Sequence, residues 1–332
     1  ATSADIIEQM DNKMKLIEKI FSVKNRKNHK IVHLLFFRMK FRQQVSNQEL
    51  LNKINAILCN EEKIIGKLVE TSKPKKGKAF LPFLSLHLVD KCNNNCESCS
   101  HFCTLADNFI LNPSDYEKDL TILAHKFNVG EIDLMGGEPL LHPQIVKIFD
   151  ITRRILPQTF ICLHTNGILL TKMSDEFWEA CRKNKIAFKI TKYPVMKNFS
   201  EVVDLCLRNE IRIETLINGN EFLHWMDRSG NGQIEENFHA CKSKFGCCYI
   251  LRNSKLYTCP TACYMDYYNR YFNTELPVET GIDIIYSSPE EILNYLKTPL
   301  SCCRYCRNVN KLKRRPWKRS QRKIDEWEDA EA

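Results

Sequence analysis

From Ala79 to Ile217, short apolar runs alternate with stretches of helical period, and that alternation constrains the fold more than any other feature. "AFLPFLSLHLVD" (79–90) reads as a buried strand, with Pro82 counting against its first half. Residues 113–128 begin on Asn112-Pro113, a helix start, and place Leu120, Leu123, Ala124 and Phe127 on one face. "EIDLM" (131–135), "TFICLH" (159–164), "IAFKIT" (186–191) and "IRIETLI" (211–217) read as strands. Residues 143–156, 174–184 and 199–208 read as the helices between them. Such βαβ units build a parallel sheet, and five or six of them make a partial (β/α)6 TIM-like barrel. In that α/β architecture the loops after the strands carry the chemistry. Three unusual segments, 92–99, 136–139 and 165–167, each follow a strand and so converge on one rim. "ITKYP" (190–194) follows the next strand and is a further candidate for the pocket wall.

The first of these segments is "CNNNCESC", with Cys92, Cys96 and Cys99 spaced C-x3-C-x2-C and Cys103 close behind. The chain holds sixteen cysteines in 332 residues and shows no secretion signal. Its apolar runs, such as "LLFF" (34–37), are far too short to cross a membrane. A cytoplasmic chain with clustered cysteines points to metal binding or redox chemistry. Cys59, Cys162, Cys181 and Cys206 lie in apolar or amphipathic stretches and read as ordinary buried thiols. Three close cysteines can wrap one loop around a metal centre. A zinc site would need a fourth ligand, which His101 or Cys103 could supply. A [4Fe–4S] cluster on three cysteines instead leaves one iron open to a small molecule. "GGEP" (136–139) ends a strand; Gly136 and Gly137 let a ligand approach the backbone, and Glu138 adds negative charge. The alternative is a plain strand-to-helix turn, and Asn166-Gly167 of "TNG" is likewise a turn signal in its own right.

Taken together, "CNNNCESC", "LMGGEPLLHP" and "LHTNGILL" resemble the radical S-adenosylmethionine (radical SAM) superfamily over about residues 80–306. The resemblance implies that Cys92, Cys96 and Cys99 hold a [4Fe–4S] cluster whose open iron chelates SAM. Reductive cleavage of SAM would then give a 5′-deoxyadenosyl radical that abstracts hydrogen from substrate. It implies that the loop of Gly136, Gly137, Glu138 and Pro139 receives the SAM amino group, and that Thr165 and Asn166 lie near its ribose or methionyl group. The family has an aromatic residue before the third cysteine; here that residue is Ser98. Cys103 then reads as a pocket-wall thiol; Cys103 and Cys263 are the candidate hydrogen donors.

From about residue 241 the cysteines become dense again and β/α alternation stops. This region resembles the twitch domain, a short form of the SPASM domain. The resemblance implies an auxiliary [4Fe–4S] cluster on Cys241, Cys259, Cys303 and Cys306, with Cys302 an alternative to Cys303. Ser254 stands where the family has a glycine, so the hairpin turn is expected to differ. A small zinc domain is the other reading.

The expected division is a basic, helical N-terminal extension with a "SKPKKGK" linker (1–78), the barrel (79–240), the cysteine-rich domain (241–310) and a tail (311–332). That tail has eight Lys and Arg within 311–323 and then turns acidic. It reads as a solvated end, or as a weak contact for an anionic membrane surface. Nucleic acid is not expected. The ending "GIDIIYSSPEEILNYLKTPLSCCRYC" and the "CSHF" (99–102) of the first cysteine segment resemble radical SAM proteins of bacterial surface-polysaccharide gene clusters. The stretch "LIEKIFSVKNRKNHKIVHLLFFRMKFR" resembles a leader on capsule and lipooligosaccharide glycosyltransferases. Both imply a carbohydrate substrate, small or lipid-linked, that is dehydrogenated or epimerised. A flavodoxin- or ferredoxin-type protein would supply electrons. The alternative is a SPASM-type maturase of a ribosomal peptide.

Overall fold

The computed structural model describes the backbone of residues 21–26, 29–34 and 37–42, and residues 77–246, 248–312 and 314–328 in full. The chain divides into two compact units, Ala1–Glu70 and Thr71–Ala332. In the first, β1 (Phe21–Arg26), β2 (His29–Leu34) and β3 (Phe37–Arg42) form an antiparallel sheet in sequence order. This corrects the helical expectation for that stretch. Phe37, Met39 and Phe41 alternate with Arg38, Lys40 and Arg42, which is the strand period. The rest of the expected helical region, with Cys59, lies outside the described residues.

The second unit opens with β4 (Ala79–Val89), α1 (Pro113–Lys126), β5 (Phe127–Gly136) and α2 (Ile145–Ile155). It continues with β6 (Phe160–Thr165), α3 (Asp175–Lys183), β7 (Ile186–Lys192), α4 (Phe199–Arg208) and β8 (Ile213–Asn218). The five strands lie side by side in chain order, all parallel. Pro82 is accommodated because β4 bonds β5 through Leu81 and Phe83, on either side of it. Asn112 caps α1 by accepting from Ser114 N at 2.8 Å, with Pro113 at the first helical position.

One face of the sheet is apolar. Leu84, Leu86, Ile132, Leu134, Leu163, Phe188 and Ile190 are buried there against Leu120, Leu123, Phe149 and Phe177 of the helices. The opposite face is polar: His87, Asp133, His164, Lys189 and Thr191 alternate with those core positions along the strands. It is this second face that runs up to the cysteine loop.

The cysteine-rich region is not a separate layer. After β9 (Glu221–Leu223) and α5 (Ile234–Phe245), β10 (Ile250–Arg252) pairs parallel with β4 at Ile250↔Ser85. The hairpin with β11 (Lys255–Tyr257), and then β12 (Ile282–Asp283), extend the same sheet to the order β12-β11-β10-β4-β5-β6-β7-β8. The sixth parallel strand therefore comes from beyond residue 241. The expected boundaries at 240/241 and 310/311 give way to one compact unit. Helices α6 (Pro260–Phe272) and α7 (Pro289–Lys297) follow, then β13 (Arg314–Pro316). At the hairpin turn, Asn253 and Ser254 take φ values of 49° and 57°. Asp119 accepts from Ser254 N (2.8 Å) and Oγ (2.6 Å), so serine holds a left-handed position that favours glycine.

Two further expectations change. The basic tail is folded: β13 pairs with β9, and Trp327 is fully buried beside Phe102 and Tyr268. Cys162, Cys181 and Cys206 are buried as expected. Among the described residues no helix is long and apolar enough to cross a membrane.

Candidate metal centre and its rim

The loop after β4 begins with an anchor. Asp90 is fully buried and accepts two hydrogen bonds from Arg252 of β10, at 2.9 and 2.8 Å, and one from Tyr267 of α6. His87 Nδ1 lies 2.7 Å from the same carboxylate, and His87 Nε2 lies 2.7 Å from His101 Nδ1. Burial opposes ionisation of Asp90, but His87 and Arg252 outweigh it and hold the carboxyl down at about 2.

Beyond the anchor the loop coils tightly. Asn95, Ser98 and Phe102 all have positive φ, at 50°, 54° and 51°. Left-handed turns at this interval aim backbone N–H groups inward, as an anion-binding nest requires. Cys99 receives them. The Cys103 thiol and then the amides of His101, Phe102 and Cys103 outweigh burial and bring Cys99 down to about 7. Cys92 and Cys96 are pushed up to about 12 by burial, with the neighbouring sulfurs adding to it. Asn94 Nδ2 reaches Cys96 Sγ at 3.3 Å, and Asn94 N reaches Cys92 Sγ at 3.4 Å. Cys103 is buried and its thiol is hydrogen-bonded to Cys99. Ser98, where an aromatic was expected, points its hydroxyl to Leu223 O at 2.8 Å. Tyr193 of the "ITKYP" segment and Trp317 close over Cys96 instead.

The "GGEP" glycines have a different reason from the expected one. A Cβ on Gly136 would meet Val89 O at 2.2 Å, and one on Gly137 would meet Lys91 O at 2.2 Å. The backbone that approaches is the cysteine loop itself, fixed by Gly137 N→Val89 O and Glu138 N→Lys91 O, both 2.9 Å. Gly137→Ala should therefore cost about 3 kcal/mol and displace Cys92. A lowered melting temperature with reduced iron uptake would show it, and wild-type values for both would count against this reading.

Glu138 is fully buried and braces the rim. Its carboxylate accepts from Thr165 Oγ1 (2.6 Å), Asn166 N (2.9 Å) and Leu140 N (3.2 Å). Burial pushes its carboxyl up to about 7 in spite of these bonds. Pro139 opens a short 3-10 turn, Pro139–Leu141, directly behind it. Asn166 Nδ2 donates to Asn93 Oδ1 at 2.7 Å and lies 3.9 Å from Cys92 Sγ. The three predicted segments are thus joined by direct hydrogen bonds.

The second cysteine set also converges. Cys241 lies in α5, Cys259 caps α6, and Cys303 and Cys306 close a 3-10 turn, Ser301–Tyr305. Each of Cys241, Cys303 and Cys306 feels the charge of Cys259. Cys302 is 1% exposed, among Ala262 and Leu300, and its thiol bonds Cys259 and Cys303. That position suits a buried hydrogen-bond donor to the Cys259 and Cys303 sulfurs. Asn237 Nδ2 ties the segment down through Cys303 O (3.1 Å) and Cys306 O (2.6 Å).

Neither set is crowded like the ligands of one ion. Tetrahedral zinc at about 2.3 Å from sulfur would bring thiolates to about 3.8 Å from one another. Among the described residues, the side chains that gather within 4.8 Å are instead Glu131, Asp133 and Cys162. Lys189 Nζ already bonds Glu131, and Asp133 at 2.9 and 3.0 Å, so that group is a closed ion pair. An iron–sulfur cluster, in which each cysteine holds a different iron, does not require thiols that close. Sequence reasoning missed this ion pair and the Asp90–His87–His101 chain. The alternation E-I-D in β5 and S-L-H in β4 was their only signal.

A cavity of about 400 Å³ lies beside the anchor, lined by Phe109, Tyr257, Tyr264, Tyr267, Arg252, Arg270 and Cys263. Arg252 is paired with Asp90, and Arg270 with Asp107 (2.5 Å) and Asp266 (2.8 Å). The Tyr264 hydroxyl is buried with no nitrogen or oxygen partner and lies against the Cys263 thiol, and its ring stacks on His87 at 4.3 Å.

Residues 86–191 match the family model described as the Radical SAM superfamily. Curated relatives include GTP 3′,8-cyclase of Microcystis aeruginosa, 31% identical over 30% of this chain and 32% of that protein. GTP 3′,8-cyclase of Helicobacter pylori is 25% identical over 48% of this chain and 58% of that protein. The chain thus spans from about a third to under two thirds of these relatives' length. Among solved structures, BtrN in complex with AdoMet and 2-DOIA covers 70% of this chain and 95% of its own, with 16% identity and a TM-score of 0.45. SuiB of Streptococcus suis bound to S-adenosylmethionine covers 58% of this chain and 60% of its own, with 14% identity and a TM-score of 0.26.

Proposed function

We propose, from the match of residues 86–191 to the Radical SAM superfamily model, which implies a [4Fe–4S] cluster and SAM, that this chain is an enzyme that oxidises a carbohydrate at a carbinol carbon. Cys92, Cys96 and Cys99 would hold the cluster, and the 136–139 loop with Thr165 and Asn166 would hold SAM. When bound, the cluster and SAM supply a 5′-deoxyadenosyl radical for hydrogen abstraction. Cys241, Cys259, Cys303 and Cys306 would hold an auxiliary [4Fe–4S] cluster, which supplies an electron acceptor. Loss of a hydrogen atom, a proton and an electron turns a carbinol into a carbonyl, and a flavodoxin- or ferredoxin-type donor would provide the reducing electron.

The cavity carries the choice of substrate. Its wall comes near both cysteine regions: Cys263 is four residues from Cys259 on α6, and Tyr264 neighbours Cys103. Aromatic faces suit the C–H side of a sugar ring, and the fixed carboxylates and amides suit its hydroxyls. Its arginines are already neutralised, which favours hydroxyls over the triphosphate of the nucleotide named for the curated relatives. A lipid-linked sugar from surface-polysaccharide synthesis fits this reading, and the exposed basic residues Lys318 and Arg319 would face an anionic membrane. A second reading, epimerisation, is favoured by the Cys263 thiol in the cavity wall, placed to return hydrogen.

Anaerobic loading should give about eight irons per chain, and SAM with reductant should give 5′-deoxyadenosine. A sugar deuterated at the reacting carbon should pass deuterium to that product. Stoichiometric zinc in place of iron would sink the reading, and stimulation by GTP alone would replace the carbohydrate with a nucleotide.

A further inference from the structure

Residues 317–328 lie on the cysteine loop itself. Trp317 N donates to Asn220 O at 2.7 Å, continuing the β13–β9 pairing. The chain then runs antiparallel to the loop: Glu97 N donates to Lys318 O (3.0 Å), Cys96 bridges Arg319, and Ser320 N donates to Asn95 O (2.8 Å). Further on, Trp327 Nε1 donates to Cys99 O at 3.0 Å. Trp317 differs from Trp327 in one respect. Its Nε1 is buried and meets no nitrogen or oxygen acceptor; it faces the Cys96 sulfur, and its ring is fixed against Tyr193. A buried N–H left unpaired would cost about 1–3 kcal/mol, so a sulfur acceptor beside it matters. The nearest chemistry is sulfur: Trp317 acts on Cys96, together with Asn94 and Tyr193.

We infer that Trp317 donates its indole N–H to a sulfur of the cluster held at Cys96, and that this bond raises the cluster's reduction potential. It is a positioning residue, since it acts on the metal centre through sulfur. Donors to cluster sulfur stabilise the more negative, reduced state, and exclusion of water by the 317–328 segment preserves that contribution. The inference rests on the iron–sulfur reading of Cys92, Cys96 and Cys99.

The test uses the full chain loaded anaerobically, with SAM absent. Trp317→Phe keeps the ring and removes only the N–H. Its first-cluster midpoint, followed by EPR during redox titration, should move to a more negative potential while iron content stays at the wild-type level. Independently, wild-type protein grown with indole-15N tryptophan should show a weak 15N coupling to the reduced cluster. That coupling should vanish in Trp317→Phe and persist in Trp327→Phe. An unshifted midpoint, or a 15N coupling that survives in Trp317→Phe, overturns the inference and leaves the cluster in place. No cluster EPR signal in the wild type overturns the cluster reading and the inference with it. Should Trp317→Phe misfold, absence of 15N coupling in labelled wild-type protein is sufficient to reject it.

Discussion

Replacing Cys92, Cys96 or Cys99 singly with alanine should remove about four of about eight irons and abolish 5′-deoxyadenosine formation. The expectation rests on the division of labour within the loop. The nest of amides from His101 to Cys103 serves Cys99, and Asn94 serves Cys92 and Cys96. Cys103 is the obvious substitute by sequence, but it is buried and bonded to Cys99. Cys103→Ser should therefore keep the full iron content, with altered cluster spectra. Iron analysis and product chromatography decide the matter. Loss of four irons in Cys103→Ser would make it a ligand and close the iron that SAM needs.

Asp90→Ala should destabilise the second unit by about 3–5 kcal/mol, because it leaves the Arg252 guanidinium buried without its carboxylate. The same carboxylate also receives Tyr267 and faces His87, so the loss spreads across β4, β10 and α6. The double replacement Asp90→Leu/Arg252→Leu should cost less than Asp90→Ala alone, since no unpaired charge remains. Urea denaturation midpoints test both. The pH dependence has a definite sign. Asp90 titrates at about 2 in the folded chain against 3.8 ordinarily, so it contributes about 2.5 kcal/mol above roughly pH 4. That contribution is lost as pH falls through 2. Equal stability of wild type and Asp90→Ala across this range would remove the anchor from the account.

The strand–helix alternation from Ala79 to Ile217 was legible because each element has a clean period, and the rim followed from it. Gly136 and Gly137 were read at the right place for a different reason. A sequence shows that backbone must come close there, but not whether it belongs to a ligand or to residues 89–91. What escaped was long-range. Nothing local links Arg252 to Asp90, or Ile250 to Ser85, so the cysteine-rich region looked like its own domain. The segment around Trp317 looked solvated because its charge dominates its composition, while its two tryptophans and one three-residue strand decide its place. In 21–42 the basic side chains hid a period of two.

The bond from Trp327 to Cys99 spans 228 residues of sequence, and this separation sets an order of events. At about 5–20 residues per second of synthesis, the thiol loop emerges roughly 10–45 s before the segment that closes over it. On the iron–sulfur reading, Cys92, Cys96 and Cys99 would be accessible during that interval to iron-delivery proteins, and also to oxidants. Loading before closure is then the natural sequence, and a fully folded chain should take up iron more slowly than a nascent one.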